Sequence, residues 1–150
     1  MGNERRRRIL FYGINILSPL LIGGIIYIIF RSDSYIATFF SETIGISTRQ
    51  YMLPAWLNTI VCNYLSDVLW AYSLAFALSA LFKFNRSNVT VVFMICIIFV
   101  VAIELLQMTN TVSGTFDSVD IILETIAVSL ALLIIKHFEE KHHEKDNQNP

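Results

Sequence analysis

Four long runs of apolar residues, divided by short polar stretches, set the pattern of this chain. The first runs from Ile9 to Phe30, roughly twenty residues that reach about 30 Å as a helix, the thickness of a bilayer's hydrocarbon. Pro19 and Gly23-Gly24 interrupt it, which predicts a loosened helix whose freed backbone groups are met by its neighbours. Three further runs complete a set of predicted spans at about 9–30, 67–82, 89–108 and 119–136. The pattern therefore predicts an all-α, polytopic membrane protein: a bundle of four transmembrane helices in one membrane domain, 1–150.

The stretch 31–66 between the first two spans has a different rhythm. Tyr35, Ile36, Phe39, Phe40 and Ile44 recur at helical spacing behind the capping residues Ser32, Asp33 and Ser34. Ser41, Glu42, Thr43, Ser47, Thr48 and Arg49 break any spanning run. Tyr51 to Leu57 then adds the amphipathic aromatics of a membrane boundary. An interfacial amphipathic segment is expected here, lying on the membrane without crossing it. After Lys136, the residues 137–150 read as a solvated, charged tail, in preference to adventitious metal binding by its three histidines.

Composition agrees with this layout. Hydrophobic residues make up 55% and charged ones 15%, with a mean hydropathy of +0.58, against about 45–50% and 25% in soluble domains. A net charge of −1 says nothing about nucleic acid, and no basic face with interleaved aromatics suggests it. Cys62 and Cys96 fall at different depths of different runs, so both are expected as free thiols. The charged start resembles a secretory leader, but its apolar run is too long, which predicts an uncleaved anchor. Arg6 stands where myristoylation of Gly2 needs Ser or Thr.

Placement of the basic residues orients the spans. Arg5–Arg8, Lys83, Arg86, Lys136, Lys141 and Lys145 fall on one side, and only Arg31 and Arg49 on the other. By the positive-inside rule both termini are cytoplasmic. Asn85-Arg86-Ser87 and Asn88-Val89-Thr90 match the glycosylation pattern but then lie inside.

Orientation turns scattered acids into a constellation. Asp67, Glu104, Asp117, Asp120 and Glu124 all fall in the outer third of the membrane, together with Gln107. Glu104 and Gln107 share a helix face, as do Asp117, Asp120 and Glu124, with Glu124 roughly 10 Å deeper than Asp117. Charges inside a membrane cost a few kcal/mol or more, so each needs a partner or a purpose. Asp117 and Asp120 fit a capping box at the start of the fourth span, and Asp67 fits a cap for the second. Capping does not account for Glu104 or Glu124, and Glu104, Asp117 and Asp120 are also the candidate ligands for a divalent cation.

A glutamate and a glutamine three apart at the end of an apolar helix, then a short turn and Phe116-Asp117-x-x-Asp120, resembles the VanZ-like family of small bacterial integral membrane proteins. Glu104, Gln107, Phe116, Asp117 and Asp120 carry the resemblance, with Asp67 similar to an upstream family Asp, over about residues 53–135. Val68 and Ala71 stand where the family commonly has Lys and His after that Asp. Gly114 stands for an arginine, and Glu124 and Ala127 for Asn and Gly.

The resemblance implies a cell-envelope role with a link to antibiotic resistance, to teicoplanin in particular. Chemically, an outward-facing acidic pocket binds a cation, a cationic head group, a glycopeptide antibiotic or a lipid-linked envelope precursor. One alternative is an intramembrane enzyme using paired carboxylates for acid–base or metal-assisted chemistry on such a precursor. Another is a structural module whose acids pair with the basic residues of another membrane protein. No Ser or Cys beside a His occurs in any outer segment, so binding ranks above catalysis.

Overall fold

The computed structural model describes residues 2–30, 39, 42–43, 54, 57, 60–82, 86–109, 111–112 and 116–148. All regular structure among them is helical: α1 (Gly2–Phe30), a π-helical turn (Ile60–Leu65), α2 (Ser66–Phe82), α3 (Arg86–Met108) and α4 (Ser118–Gln148). Four segments are long and apolar enough to cross a membrane: Glu4–Ile29, Asn63–Phe82, Asn88–Met108 and Ser118–Lys141. This is the four-helix architecture expected, in a multi-pass membrane protein.

The helices alternate in direction. Arg8 of α1 pairs with Glu139 of α4, and Phe11 stacks on Phe138 with ring centroids 3.7 Å apart. Both contacts tie the start of α1 to the far part of α4. At the other end Tyr27 of α1 meets Trp70 near the start of α2, centroids 5.5 Å apart. Asp117 at the head of α4 meets Glu104 near the end of α3. One end of the bundle thus holds Arg5–Arg8, Lys136 and Lys141, and the opposite end holds the acids.

Packing is that of a membrane bundle. Large apolar side chains point outward on every helix, among them Ile14, Leu21, Met94, Ile98, Ile122 and Leu133. The buried face of α2 is built from Ser66, Ala71, Ser73, Ala75, Phe76 and Ser79. Without a hydrophobic force between helices in lipid, small residues that let backbones approach hold the bundle together. α2 is the central element, packing on α1, α3 and α4. Gly23 serves the same purpose in α1: a Cβ there would stand 2.7 Å from Trp70 Nε1 and 3.2 Å from the Ser66 carbonyl oxygen.

Polar bonds cross the apolar interior. Pro19 removes the N–H that would bond the Asn15 carbonyl, and the Ser73 hydroxyl of α2 donates to the adjacent Ile16 carbonyl at 2.6 Å. Tyr72 donates to Asn15 Oδ1 at 2.8 Å. α2 thus bonds both the backbone and a side chain of α1 beside the Pro19 interruption.

Two expected boundaries are corrected. The second span begins at Asn63, because Ile60–Leu65 runs straight into α2. The tail expected from residue 137 is helical to Gln148, and Glu139 within it is only 2% exposed. No Gly or Pro lies between Gly114 and Pro150, and Ile135, Phe138 and Glu139 continue the inward face at i, i+3, i+4. The expected interfacial helix around Tyr35 to Ile44 and the aromatic patch at 51–57 lie almost wholly outside the described residues. Cys96 is a buried free thiol.

Candidate functional site: an acidic end above an apolar cavity

The head of α4 anchors the site. Asp117 is its N-cap: Oδ1 accepts the Val119 N–H at 2.9 Å, and the Asp117 carbonyl accepts the Asp120 N–H at 3.1 Å. Its other carboxylate oxygen accepts the Tyr64 hydroxyl at 3.0 Å, from the π-helical turn. In a capping box the N3 carboxylate, here Asp120, reaches back to the cap's own N–H. That expectation is corrected, because the Asp117 N–H goes to Glu104 Oε2 of α3 at 3.1 Å. Glu104 is 2% exposed, so the N-terminus of α4 is completed by a buried carboxylate from the preceding helix. Favourable interaction with the helix dipole gives this carboxylate the partner that its depth requires.

Asp67 does not cap a helix as expected. The π-helical turn precedes α2 without a break, so Asp67 stands inside a continuous coil, where its Oδ1 accepts the Ser66 hydroxyl at 3.2 Å. Short π-helical turns of this kind are rare and recur at functional sites.

The remaining candidates converge on the same region. Asp120 is buried at the first turn of α4. Glu124, one turn deeper, lies within electrostatic reach of Asp67, Asp120 and Glu104, and Tyr64 lies within reach of Asp117 and Asp120. Five acids from three helices thus share one end of the bundle. Among the described residues, however, no group of three or more His, Cys, Asp or Glu side chains is arranged to hold a metal ion. The geometry therefore gives the Glu104, Asp117 and Asp120 set no support as cation ligands. Physically, Glu104 and Asp117 already direct oxygens to backbone N–H groups and to Tyr64.

Below the acids lies a cavity of about 420 Å³ between α1, α2, α3 and α4, within the range of about 300–1,000 Å³ usual for small-molecule sites. Its walls are apolar, including Ile16, Leu20, Leu74, Ala77, Phe99 and Val100, and its polar groups are Asp67, Gln107, Glu124 and Ser73. Gln107 is 8% exposed and lines the cavity. No family model, no curated protein and no solved structure matches this chain.

Sequence reasoning missed Tyr64, Ser66, Trp70 and Ser73. Tyr64 could have been found as an aromatic hydroxyl three residues before Asp67, at the depth where amphipathic rings concentrate. Nothing in the sequence marks Trp70 as a cavity wall, because that follows from its contact with Gly23. At the basic end, the Tyr12 hydroxyl donates to Glu139 Oε1 at 3.1 Å beside the Arg8 pair, a second polar cluster that the sequence also hid.

Proposed function

We propose that this chain is a VanZ-like protein of the bacterial cytoplasmic membrane, with both termini cytoplasmic and its acidic end outward. There it binds the basic head of an envelope-active or envelope-derived molecule. One observation carries the reading: Asp67 and Glu124, from two helices, meet at an apolar cavity beside the amide of Gln107. Carboxylates crowded in a low-dielectric site repel one another, and a cation placed among them recovers that energy. An anionic phosphate would be repelled, so a lipid-linked precursor is favoured only through an amine that it carries. The sequence pattern Glu104, Gln107, Phe116, Asp117 and Asp120 supports the family placement, and the basic residues at the opposite end support the orientation.

The test is genetic. A strain lacking this chain is complemented with the wild type or with Asp67→Asn/Glu124→Gln and challenged with envelope-active antibiotics, teicoplanin among them. The wild type restores tolerance, and the variant accumulates in the membrane without restoring it. Full complementation by the variant would contradict the reading.

A further inference from the structure

The cavity has a mouth, and its direction bears on what enters. Exposed apolar side chains line it on α1 (Leu20, 45%), on α3 (Phe99, 55%, and Ile103, 37%), on α2 (Trp70, 36%) and just beyond α3 (Val112, 38%). Among the described residues, α1 and α3 have no substantial packing against each other, and both lean on α2, which forms the floor. The opening therefore runs sideways between two helices, at the level of the hydrocarbon. Along the floor the cavity reaches from Asp67 to Ala77, about 15 Å of helix.

The geometry points to a membrane-resident, single-chain amphiphile with a protonated amine head, taken in sideways between α1 and α3. This rests on the proposed acidic binding site and names its ligand class. The apolar trough matches a medium-length hydrocarbon chain. The acid and amide groups are gathered at one end of it: Asp67 and Glu124 supply carboxyl oxygens, and Gln107, more than nine-tenths buried, supplies a carbonyl acceptor for an ammonium N–H. Moving a chain from lipid into an apolar trough changes its surroundings little, since lipid tails are as apolar as the cavity wall. Selection therefore resides in the head, and the trough only admits molecules that already reside in the bilayer.

The test uses the full chain in phosphatidylcholine nanodiscs with Trp56→Phe, which leaves Trp70 as the sole tryptophan. Dodecylamine brominated midway along its chain quenches the indole on contact, and equally brominated dodecanol sets the level due to lipid partitioning. The expected result is saturable quenching by the amine above that level, abolished by Asp67→Asn/Glu124→Gln. Ala77→Phe, which keeps every carboxylate and shortens the trough, weakens the amine at least tenfold, and this variant carries the test if the double one fails to fold. Propylamine should displace the brominated probe only at far higher concentration than dodecylamine does. If propylamine displaces it equally well, the acidic site stands and the amphiphile falls. If amine and alcohol quench alike, with no effect of the double variant, the amphiphile and the acidic site fall together.

Discussion

At the scale of single residues, two positions carry unusual weight. Gly23 lets α1 approach Trp70 and the Ser66 backbone, and a methyl group there collides with the indole at 2.7 Å and 2.8 Å. Gly23→Ala should lower stability by about 1–3 kcal/mol, as overpacking does. Gly24→Ala, with nothing within 4 Å of its Cβ, should be neutral or slightly stabilising through helix propensity. Thermal unfolding in one detergent compares them, and equal melting of the two variants would remove Gly23 from the packing argument. Glu104 is the second position. Glu104→Ala leaves the Asp117 N–H without its acceptor and should cost about 1–3 kcal/mol. Glu104→Gln keeps an oxygen for that N–H and should cost distinctly less, measurable in the same assay. Equal losses would mean that the charge, and not the bond, holds α4.

At the scale of elements, α1 and α4 are tied at the basic end by a cluster that is asymmetric in burial. The Glu139 side chain is 2% exposed and the Arg8 side chain 50%. Removing Arg8 strands a buried carboxylate, whereas neutralising Glu139 leaves Arg8 free to hydrate. Arg8→Ala should therefore destabilise by about 3 kcal/mol, Glu139→Gln by less, and the pair of changes together by less than their sum. Additive losses in unfolding experiments would show the two side chains to be independent. This cluster also marks where the sequence was hard to read. Apolar runs located all four helices, since twenty hydrocarbon side chains in a row admit few other structures. The continuation of α4 to Gln148 was hidden because Glu139, Lys141 and Glu144 read as solvated charge, and Arg8 and Tyr12, well over a hundred residues earlier, make a buried Glu139 tolerable. Likewise the π-helical turn at Ile60–Leu65 has no composition of its own. The acids were legible as a cluster because the alternation of spans sends them to one end. Their partners were not, because the bond from the Asp117 N–H to Glu104 depends on how α3 and α4 dock.

At the scale of the whole molecule, the bundle is polarised: the arginine cluster and the described chain ends at one face, the five site acids and an apolar cavity at the other. The central claim is that this acidic face is outward and that its cavity attracts cations. A single measurement addresses both parts. In a chain with Cys62→Ser and Cys96→Ala, Gln107→Cys places one thiol against the cavity, and intact cells are treated with impermeant thiosulfonate reagents of opposite charge. The account predicts modification from outside, with the cationic reagent faster by about tenfold or more. One carboxylate at roughly 8 Å contributes on the order of 2 kcal/mol at an effective dielectric near 20. Adding Asp67→Asn/Glu124→Gln should bring the two rates together. Reaction only after the cells are opened, or equal rates for the two reagents in the chain that keeps its acids, would contradict it.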